Sequence, residues 1–263
     1  MNVLGLQIEI AWENKEANFE TVRRLMTAAA PEKGTLVILP EMFATGFTMN
    51  VDSMAEPYGG KTEQFLSSLA SKWSVHVIAG AAMRGENGRT RNKALVFSPD
   101  GKLAGFYAKM RPFTPGGEAE HYASGTGPLV LALGDCTVSP FVCYDLRFPE
   151  LFRQAAGTRQ PELFVVIANW PDKRILHWQR LLQARAIENQ AYVLGVNRIG
   201  DDPYYHYPGH SVLVDFNGDI VADAGEQEGW LAAKLDFTPL RQYRHGLPFL
   251  KDLKPLKIGA AGE

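Results

Sequence analysis

The chain has 263 residues, with 27 basic and 29 acidic side chains and a formal charge of −2. This length can bury a substantial core in one large α/β domain or two small ones. No block of lysine and arginine could follow a phosphate backbone, so we expect no nucleic-acid partner. No stretch reaches the ~20 apolar residues of a membrane helix, so we expect no membrane partner either.

The two cysteines, Cys136 and Cys143, have neither the spacing of a disulfide framework nor that of a metal-ligand pair. Residues 1–10 lack the basic segment and the long apolar segment of a secretion signal. The six histidines are scattered without metal-ligand spacing, so we predict no metal site. These features predict a soluble protein of the reducing cytoplasm.

The N-terminal part of the chain alternates between strands and helices. Residues 3–8, 36–39 and 75–80 are largely apolar and predict strands, the second of which is wholly apolar, as in a strand buried on both faces of a sheet. Residues 14–30 and 61–73 carry apolar side chains at helical spacing. The resulting order, βαβαβ, indicates an α/β fold.

The rest of the chain continues in the same way. Residues 108–127 are rich in Pro, Gly, His and Glu and predict a long loop, and loops of this length in a compact domain are usually functional. Further strands are predicted over residues 93–97, 103–107, 129–133, 137–142, 163–168, 192–196, 211–216, 220–224 and 230–235, and helices from residue 148 and over 172–190 and 238–243. Because there is no linker, we interpret residues 1–263 as one domain with a loose tail from about residue 259.

Cys143 lies where an apolar strand is followed by a helix with Pro149 in its first turn. At such an elbow a rigid strand holds the side chain, while free backbone N–H groups can bind a developing negative charge. Position alone therefore makes Cys143 a candidate nucleophile. The alternative is a buried thiol at a strand end, because free cysteine is among the most buried residue types.

Glu41 and Lys109 also follow predicted strands, as do Asn169 and Trp170. Ligands of α/β sheets bind outside the carboxyl ends of the strands, so these side chains can meet Cys143 in one crevice. A carboxylate can take the thiol proton, and an ammonium can stabilise the oxyanion that forms when a thiolate attacks a carbonyl. The combination predicts acyl transfer. Taken singly, Glu41 could be a carboxylate at a helix start and Lys109 a solvated loop charge.

Three motifs, in this order, resemble those of the nitrilase (carbon–nitrogen hydrolase) superfamily. They are Leu39-Pro40-Glu41-Met42-Phe43, Tyr107-Ala108-Lys109 and Val142-Cys143-Tyr144-Asp145-Leu146-Arg147-Phe148-Pro149-Glu150. The resemblance extends through Ala168-Asn169-Trp170-Pro171, Ala184-Arg185-Ala186-Ile187-Glu188-Asn189-Gln190 and Asn197-Arg198, and so covers essentially the whole chain. Asn169-Trp170-Pro171, His177-Trp178 and the Gly117-Glu118-Ala119-Glu120-His121-Tyr122 loop make the chain similar to bacterial omega-amidases.

The resemblance implies a four-layer αββα sandwich, in which two sheets pack face to face between helices, and a homodimer formed through the helices. It implies that Glu41 is the general base, that Lys109 stabilises the tetrahedral intermediate and that Cys143 is the nucleophile. Tyr144 would donate its backbone N–H to the oxyanion. Glu118, rather than Glu120, matches the family's second glutamate, which orients the lysine. No cofactor is implied.

One stretch departs from the family pattern. The family usually follows its lysine with His-Leu-Phe, whereas this chain has Met110-Arg111-Pro112-Phe113. Pro112 stiffens the loop and removes a donor, and Arg111 replaces an imidazole by a permanent cation. Arg111 is therefore a candidate for binding a substrate carboxylate, and the alternative is an arginine that faces solvent.

Aromatic and charged residues near the strand ends have two interpretations. Phe43 and Trp170 are candidates for the walls of a substrate pocket, although aromatic residues at such places also belong to cores. We interpret Arg147 as structural, paired with a carboxylate beside the elbow, rather than as a substrate clamp, and Asp145 in the same way.

These residues predict a cysteine-dependent amidohydrolase that releases ammonia from a small primary amide through a thioester. The resemblance suggests a 2-oxo dicarboxylate monoamide, such as 2-oxoglutaramate or 2-oxosuccinamate. Alternatives with the same triad act on nitriles, carbamoylated amines, simple aliphatic amides or acyl donors, and only the pocket separates them. A catalytically silent scaffold is a further alternative, but it would not need all three chemical residues.

Overall fold

The computed structural model describes residues 1–85 and 88–254, and the predicted loose tail lies outside these residues. The strands are β1 Asn2–Gln7, β2 Leu36–Ile38, β3 His76–Arg84, β4 Thr90–Phe97, β5 Leu103–Ala108, β6 Leu131–Leu133, β7 Cys136–Val142, β8 Leu163–Ala168, β9 Tyr192–Asn197, β10 Ile199–Asp201, β11 His206–Pro208, β12 Val212–Val214, β13 Ile220–Asp223 and β14 Gly229–Lys234. The α-helices are α1 Lys15–Ala29, α2 Val51–Met54, α3 Lys61–Trp73, α4 Glu118–His121, α5 Pro149–Arg159, α6 Ile175–Asn189 and α7 Thr238–Gly246. Short 3₁₀ turns cover Thr114–Gly116, Cys143–Arg147, Asp172–Arg174 and Phe249–Asp252.

Twelve strands form two six-stranded mixed sheets, with strand orders β14-β1-β2-β3-β4-β5 and β13-β12-β9-β8-β7-β6. Each sheet has three neighbouring parallel strands, β1-β2-β3 in the first and β7-β8-β9 in the second, and its other pairings are antiparallel. The remaining two strands, β10 and β11, form a small hairpin. The two sheets therefore have equivalent layouts.

Alternation along the strands assigns each face of the first sheet to a different layer. In β2, Leu36 and Ile38 pack into the cluster shared with the second sheet and helices α5 and α6. Val37, between them, packs into the cluster formed with helices α1 and α3. Because successive strand side chains point to opposite faces, a wholly apolar strand is buried on both sides. The layers are thus helix, sheet, sheet and helix, and the predicted αββα sandwich is confirmed.

Most predicted elements lie within a few residues of their observed positions, and the differences concentrate near the strand ends. The strand predicted over residues 75–80 continues to Arg84, because it pairs with β4 over its whole length. The loop predicted over residues 108–127 contains a 3₁₀ turn and α4. The β10–β11 hairpin and the short α2 were missed, since neither has an apolar periodicity of its own.

The apolar spacing of residues 172–190 predicts one buried helix face, and helix α6 departs from this prediction at Ile187; the predicted face consists of Ile175, Trp178, Leu181, Leu182 and Ile187. Trp178 and Leu182 are buried as the apolar spacing predicts, whereas Ile187 is 54% exposed. Leu176, on the same helix, is 60% exposed. Among the helices of the described chain, none is both long enough and apolar enough to cross a membrane.

The turn after β2 passes unusually close to β3. Gly80 donates its N–H to the Pro40 carbonyl at 3.1 Å and accepts from the Phe43 N–H at 3.2 Å. A Cβ atom at residue 80 would lie 2.4 Å from Glu41 Cα and from the Met42 nitrogen. Both are backbone atoms, so a side chain here would displace the turn that carries Glu41.

We expect Gly80→Ala to lower the free energy of unfolding by about 1–3 kcal/mol, because the added methyl group overpacks a backbone contact. Gly157→Ala in α5 is a matched control, since a Cβ there meets nothing within 4 Å. That substitution should instead add roughly 0.4–1 kcal/mol. Urea unfolding of both variants measures the difference, and equal effects would contradict the role given to the close approach.

Candidate active site

Residues from both sheets meet at the carboxyl ends of their strands. Glu41 follows β2 and Lys109 follows β5 in the first sheet. Cys143 follows β7 and Asn169 follows β8, two neighbouring strands of the second sheet. All four residues line one cavity. The site is therefore divided between the two halves of the sandwich.

Lys109 lies between two glutamates. Its Nζ is 2.9 Å from Glu41 Oε1 and 2.7 Å from Glu118 Oε2, and all three side chains are at most 1% exposed. Burial alone would lower the pKa of Lys109, but the charges of Glu118 and Glu41 outweigh it and raise that pKa well above its usual value. The ammonium is a permanent buried charge and not a solvated loop cation.

Further donors surround the two carboxylates. Asn92 Nδ2 donates to Glu41 Oε1 at 2.6 Å and to Glu118 Oε1 at 2.9 Å. Asn169 donates its backbone N–H to Glu41 Oε2 at 3.0 Å and its Nδ2 to the Glu41 carbonyl at 2.8 Å. The Phe113 N–H donates to Glu118 Oε2 at 2.5 Å. Every oxygen of both carboxylates thus accepts at least one hydrogen bond, as buried ionised groups require.

Cys143 opens the 3₁₀ turn Cys143–Arg147 in a left-handed backbone conformation, with φ of 46°. This conformation costs about 1–3 kcal/mol for a residue with a side chain, so its surroundings must hold it in place. The buried Asp145 carboxylate does so, because it accepts from the Val142 N–H at 3.1 Å and the Tyr107 hydroxyl at 2.8 Å. Burial raises the pKa of Asp145 to about 7, against the lowering effect of Lys109.

The Cys143 thiol is partly buried, and its Sγ lies 3.8 Å from the Asn169 carbonyl oxygen. Burial, followed by the negative charge of Glu41, raises the pKa of the thiol well above its usual value, while Lys109 opposes the shift. The resting side chain is therefore a neutral thiol. A nucleophile in this state needs a base to remove its proton, and Glu41 lines the same cavity.

Tyr144 follows the cysteine and lines the cavity. Its ring packs edge-on against Phe113, with centroids 5.0 Å apart, and against Phe148, with centroids 5.1 Å apart. Because the first N–H groups of a helical turn have no acceptor within that turn, the backbone N–H of Tyr144 can donate to an oxyanion formed beside Cys143.

The cavity, together with the open space at its mouth, measures about 410 Å³. Its walls are largely aromatic and include Phe47, Phe113, Tyr144, Trp170, Tyr205 and Tyr207. Trp170 lines this cavity, although only 2% of its surface is exposed. In the described part of the chain, no cluster of three or more His, Cys, Asp or Glu residues could hold a metal ion.

The structure corrects the expectation for Phe43. This ring is fully buried between the first sheet and its helices, 6.0 Å from the ring of Phe19 and 6.1 Å from that of Phe65. The turn after Glu41 returns the chain to the helical layer, so the ring two residues later joins the core instead of the cavity. Phe47, four residues further on, provides the aromatic wall.

The structure also corrects the expectation for Arg111. Its guanidinium lies 3.5 Å from Glu150 Oε1 and 5.4 Å from the centre of the Phe148 ring, and 42% of the side chain is exposed. Its backbone N–H donates to Asp145 Oδ1 at 2.9 Å. Arg111 is absent from the cavity lining among the described residues. The hydrogen bond from the Arg111 backbone to Asp145 therefore holds the main chain near the elbow, while the side chain points away from the cavity toward Glu150.

Two other arginines line the cavity, Arg147 and Arg174. The Arg147 guanidinium lies 4.8 Å from the centre of the Trp170 ring and 3.4 Å from His177 Nδ1. Within the described residues neither arginine forms an ion pair with a carboxylate, which corrects the structural pairing expected for Arg147. Burial, followed by the charge of Arg174, lowers the pKa of Arg147. Two arginines without a carboxylate partner in the described residues thus line one cavity.

Sequence reasoning missed Arg174, Asn92 and the tyrosines of the β10–β11 hairpin. Asn92 gives only a weak signal, because it is one of four polar residues that begin a strand whose second half is apolar. Arg174 and Tyr205 carry no such signal. They belong to a turn and a hairpin whose positions depend on contacts between distant parts of the chain.

Comparisons with known proteins agree with this geometry. A family model described as carbon–nitrogen hydrolase matches residues 4–245. An omega-amidase of Yersinia enterocolitica is 37% identical over 252 residues, which are 94% of each chain. A 2-oxoglutaramate amidase of Bacillus subtilis is 30% identical over 250 residues, covering 95% of this chain and 96% of the relative.

Solved structures support the same relationship. A CN-hydrolase superfamily protein of Xanthomonas campestris, with an arsenic adduct in its active site, has a TM-score of 0.92 at 31% sequence identity and covers 98% of this chain and 99% of its own. Sequence and fold thus agree along nearly the whole chain, and the predicted resemblance is confirmed. The chain belongs to the carbon–nitrogen hydrolase family and is a hydrolase of amide carbon–nitrogen bonds.

Proposed function

We propose that this hydrolase is an omega-amidase, which cleaves the terminal amide of a small 2-oxo dicarboxylate monoamide such as 2-oxoglutaramate or 2-oxosuccinamate. The observation that carries the proposal is the convergence of Arg147 and Arg174, without carboxylate partners in the described residues, on the cavity that also contains Cys143. Guanidinium groups bind carboxylates in paired hydrogen bonds, so this wall suits the anionic end of such a substrate. Relatives named for omega-amidase and 2-oxoglutaramate amidase activity support the same substrate class.

The proposed reaction begins with attack of Cys143 Sγ on the amide carbonyl as Glu41 takes the thiol proton. Lys109 and the Tyr144 N–H stabilise the oxyanion, and Glu118 orients the lysine. Glu41 then returns the proton to the leaving nitrogen, ammonia departs and a thioester remains. Glu41 next removes a proton from water, which attacks the thioester and releases the acid and the thiol. No cofactor takes part in these steps.

The roles rest on position as well as on the family. Lys109 cannot act as the base, because its raised pKa keeps it protonated. The thiol has a raised pKa too, so proton removal and attack must be coupled. Trp170 would form a wall of the substrate pocket, and Phe47 would take the place first expected for Phe43.

Nitrile hydrolysis, carbamoyl hydrolysis and simple aliphatic amide hydrolysis use the same thioester chemistry and remain the competing functions. A neutral substrate would leave the charges of both arginines unused, which favours the anionic amide. A catalytically silent scaffold is disfavoured, because burying the charged side chains of Glu41, Lys109 and Glu118 is unfavourable and a scaffold has no use for them.

We expect Cys143→Ala to abolish ammonia release from 2-oxoglutaramate, because no other group in the cavity can form the thioester. Cys136→Ala is the matched control, since Cys136 lies at the start of β7, is 1% exposed and does not line the cavity. It should keep near-normal turnover. Turnover retained by the Cys143 variant would contradict the mechanism.

We expect Arg147→Ala and Arg174→Ala each to lower kcat/KM for 2-oxoglutaramate by roughly 10- to 100-fold, the size of one lost charge-assisted hydrogen bond. Hydrolysis of a neutral linear amide should change little. Ammonia release across a panel of 2-oxo acid monoamides and neutral amides measures both effects. Arg111→Ala, outside the cavity, should behave like the unmodified protein, and equal losses on charged and neutral amides would contradict the assignment.

We further propose a homodimer in which α6 packs against a second copy of the chain. Leu176 and Ile187 are 60% and 54% exposed, and their spacing of eleven residues, about three turns, places them on one helix face. Replacing Leu176 by Glu should weaken the dimer, because it buries a charge in an apolar contact. Sedimentation measures the change, and an unmodified protein that is monomeric at working concentration would contradict the proposal.

Two broader expectations belong to the same proposal. A single family model spans residues 4–245, which supports one domain. Cys136 and Cys143 are both free thiols, and a thiol nucleophile persists in a reducing compartment, which supports the cytoplasm.

A further inference from the structure

We propose that Asn92 is a positioning residue that holds the two buried carboxylates of the site, Glu41 and Glu118, in place around Lys109, and so sets the pH at which Cys143 becomes reactive. The inference deepens the proposed function, because it concerns the same nucleophile and base. It rests on one juxtaposition: the two hydrogens of a single amide nitrogen are directed at Glu41 and Glu118.

The charge balance of the site explains why such a residue is needed. Glu41 and Glu118 share one ammonium, that of Lys109, and all three are excluded from water. Two carboxylates beside one cation leave an excess negative charge, and like charges this close favour uptake of a proton by one of them. Neutral donors are the remaining way to stabilise both anions.

Asn92 is the neutral side chain bonded to both carboxylates. Its Nδ2 lies 2.6 Å from Glu41 Oε1 and 2.9 Å from Glu118 Oε1. In the described residues, this is the one hydrogen bond that Glu118 Oε1 accepts. Loss of Asn92 would therefore leave a buried carboxylate oxygen without a donor.

The oxygen of the Asn92 side-chain amide indicates how the amide is oriented. Asn92 is 1% exposed, and its Oδ1 has no hydrogen-bond partner among the described residues. The reverse orientation of the amide would direct Oδ1 at two carboxylates, which is repulsive. Both donor hydrogens of the residue are thus used on the site, whereas its acceptor has no partner among the described residues.

The backbone of the same residue positions the lysine. The Lys109 N–H donates to the Asn92 carbonyl at 2.9 Å, where β5 ends beside β4. One residue of β4 therefore fixes the start of the lysine side chain and the carboxylates at its tip.

Other titratable groups face this cluster. Lys109 remains charged, because both carboxylates raise its pKa well above its usual value. Tyr122 remains neutral, since burial, followed by the charges of Glu118 and Glu41, raises its pKa. Burial raises the pKa of Asp145 to about 7, so it titrates in the working range, but it does so in every variant alike.

The test uses alkylation of Cys143 by iodoacetamide, followed by mass spectrometry from pH 5 to 9. This readout needs no substrate, so it stays informative even if the proposed omega-amidase activity is wrong. The acid-side midpoint of the rate reports the coupled ionisation of the thiol and its base. Cys136, which is 1% exposed, is the internal reference, because rapid labelling of Cys136 would reveal unfolding.

We expect Asn92→Asp and Asn92→Ala to move the acid-side midpoint upward by about one pH unit, which is ten-fold slower alkylation on the acidic side. The sign follows because a carboxylate that loses a donor takes up a proton more readily. Asn92→Ser, which keeps one donor hydrogen, should give a smaller shift. If a substitution unfolds the chain, the remaining folded variants decide.

The matched control is Asn18→Asp, the same change at a fully buried asparagine whose side chain, among the described residues, bonds to the backbone of Ala11 and Ala44. It should leave the midpoint where it is, whatever its effect on stability. A lower alkylation rate at an unchanged midpoint in the folded Asn92 variants would overturn the proposal and leave Asn92 with a structural role only.

Discussion

The site depends on the burial of one ammonium between two carboxylates. Lys109 contacts Glu41 and Glu118 with almost no access to water, and charges removed from water are tolerated only when each is paired and hydrogen-bonded. That demand accounts for the donors collected around the site, from Asn92, Asn169 and the Phe113 backbone. The backbone and side chains around the site are therefore arranged to stabilise three buried charges. Because these charges are fixed in position, they produce a strong and constant electrostatic field in the adjacent cavity.

Strand alternation made most of the fold predictable. The wholly apolar Leu36–Ile38 strand could be recognised as buried on both faces, and apolar helical spacing located α1, α3 and α6. The small β10–β11 hairpin could not be predicted, because its residues carry no periodic pattern and its position depends on contacts with distant parts of the chain. Exposure of Ile187 could not be predicted either, since an apolar side chain at helical spacing looks the same whether its own core or another surface covers it.

The site divides in a similar way. Residues at strand ends, such as Glu41, Lys109 and Cys143, could be located because the chemistry of a residue type and its place in the sheet reinforce each other. Residues that were expected in the cavity only because they are close to a catalytic residue in the sequence were predicted less well. Arg111 was expected in the cavity because it follows Lys109 closely, but its backbone bond to Asp145 leaves the side chain outside, and Arg147 and Arg174 line the cavity instead. The positions of strand ends can be predicted well from the sequence, whereas the direction of a side chain in a loop depends on tertiary contacts.

The hydrogen bonds between Asn169 and Glu41 join residues of different sheets, so the proposed catalytic base is also a cross-link through the middle of the sandwich. Many enzymes gain stability when a catalytic charge is replaced, because the group was placed there at the expense of the fold. Glu41 has the opposite relation to its surroundings. Its removal would leave Lys109 paired with Glu118 alone and would leave donors of Asn92 and Asn169 without an acceptor in a dry interior, at a cost of about 1–3 kcal/mol for each unsatisfied donor. Selection for a durable fold alone would therefore tend to retain the base.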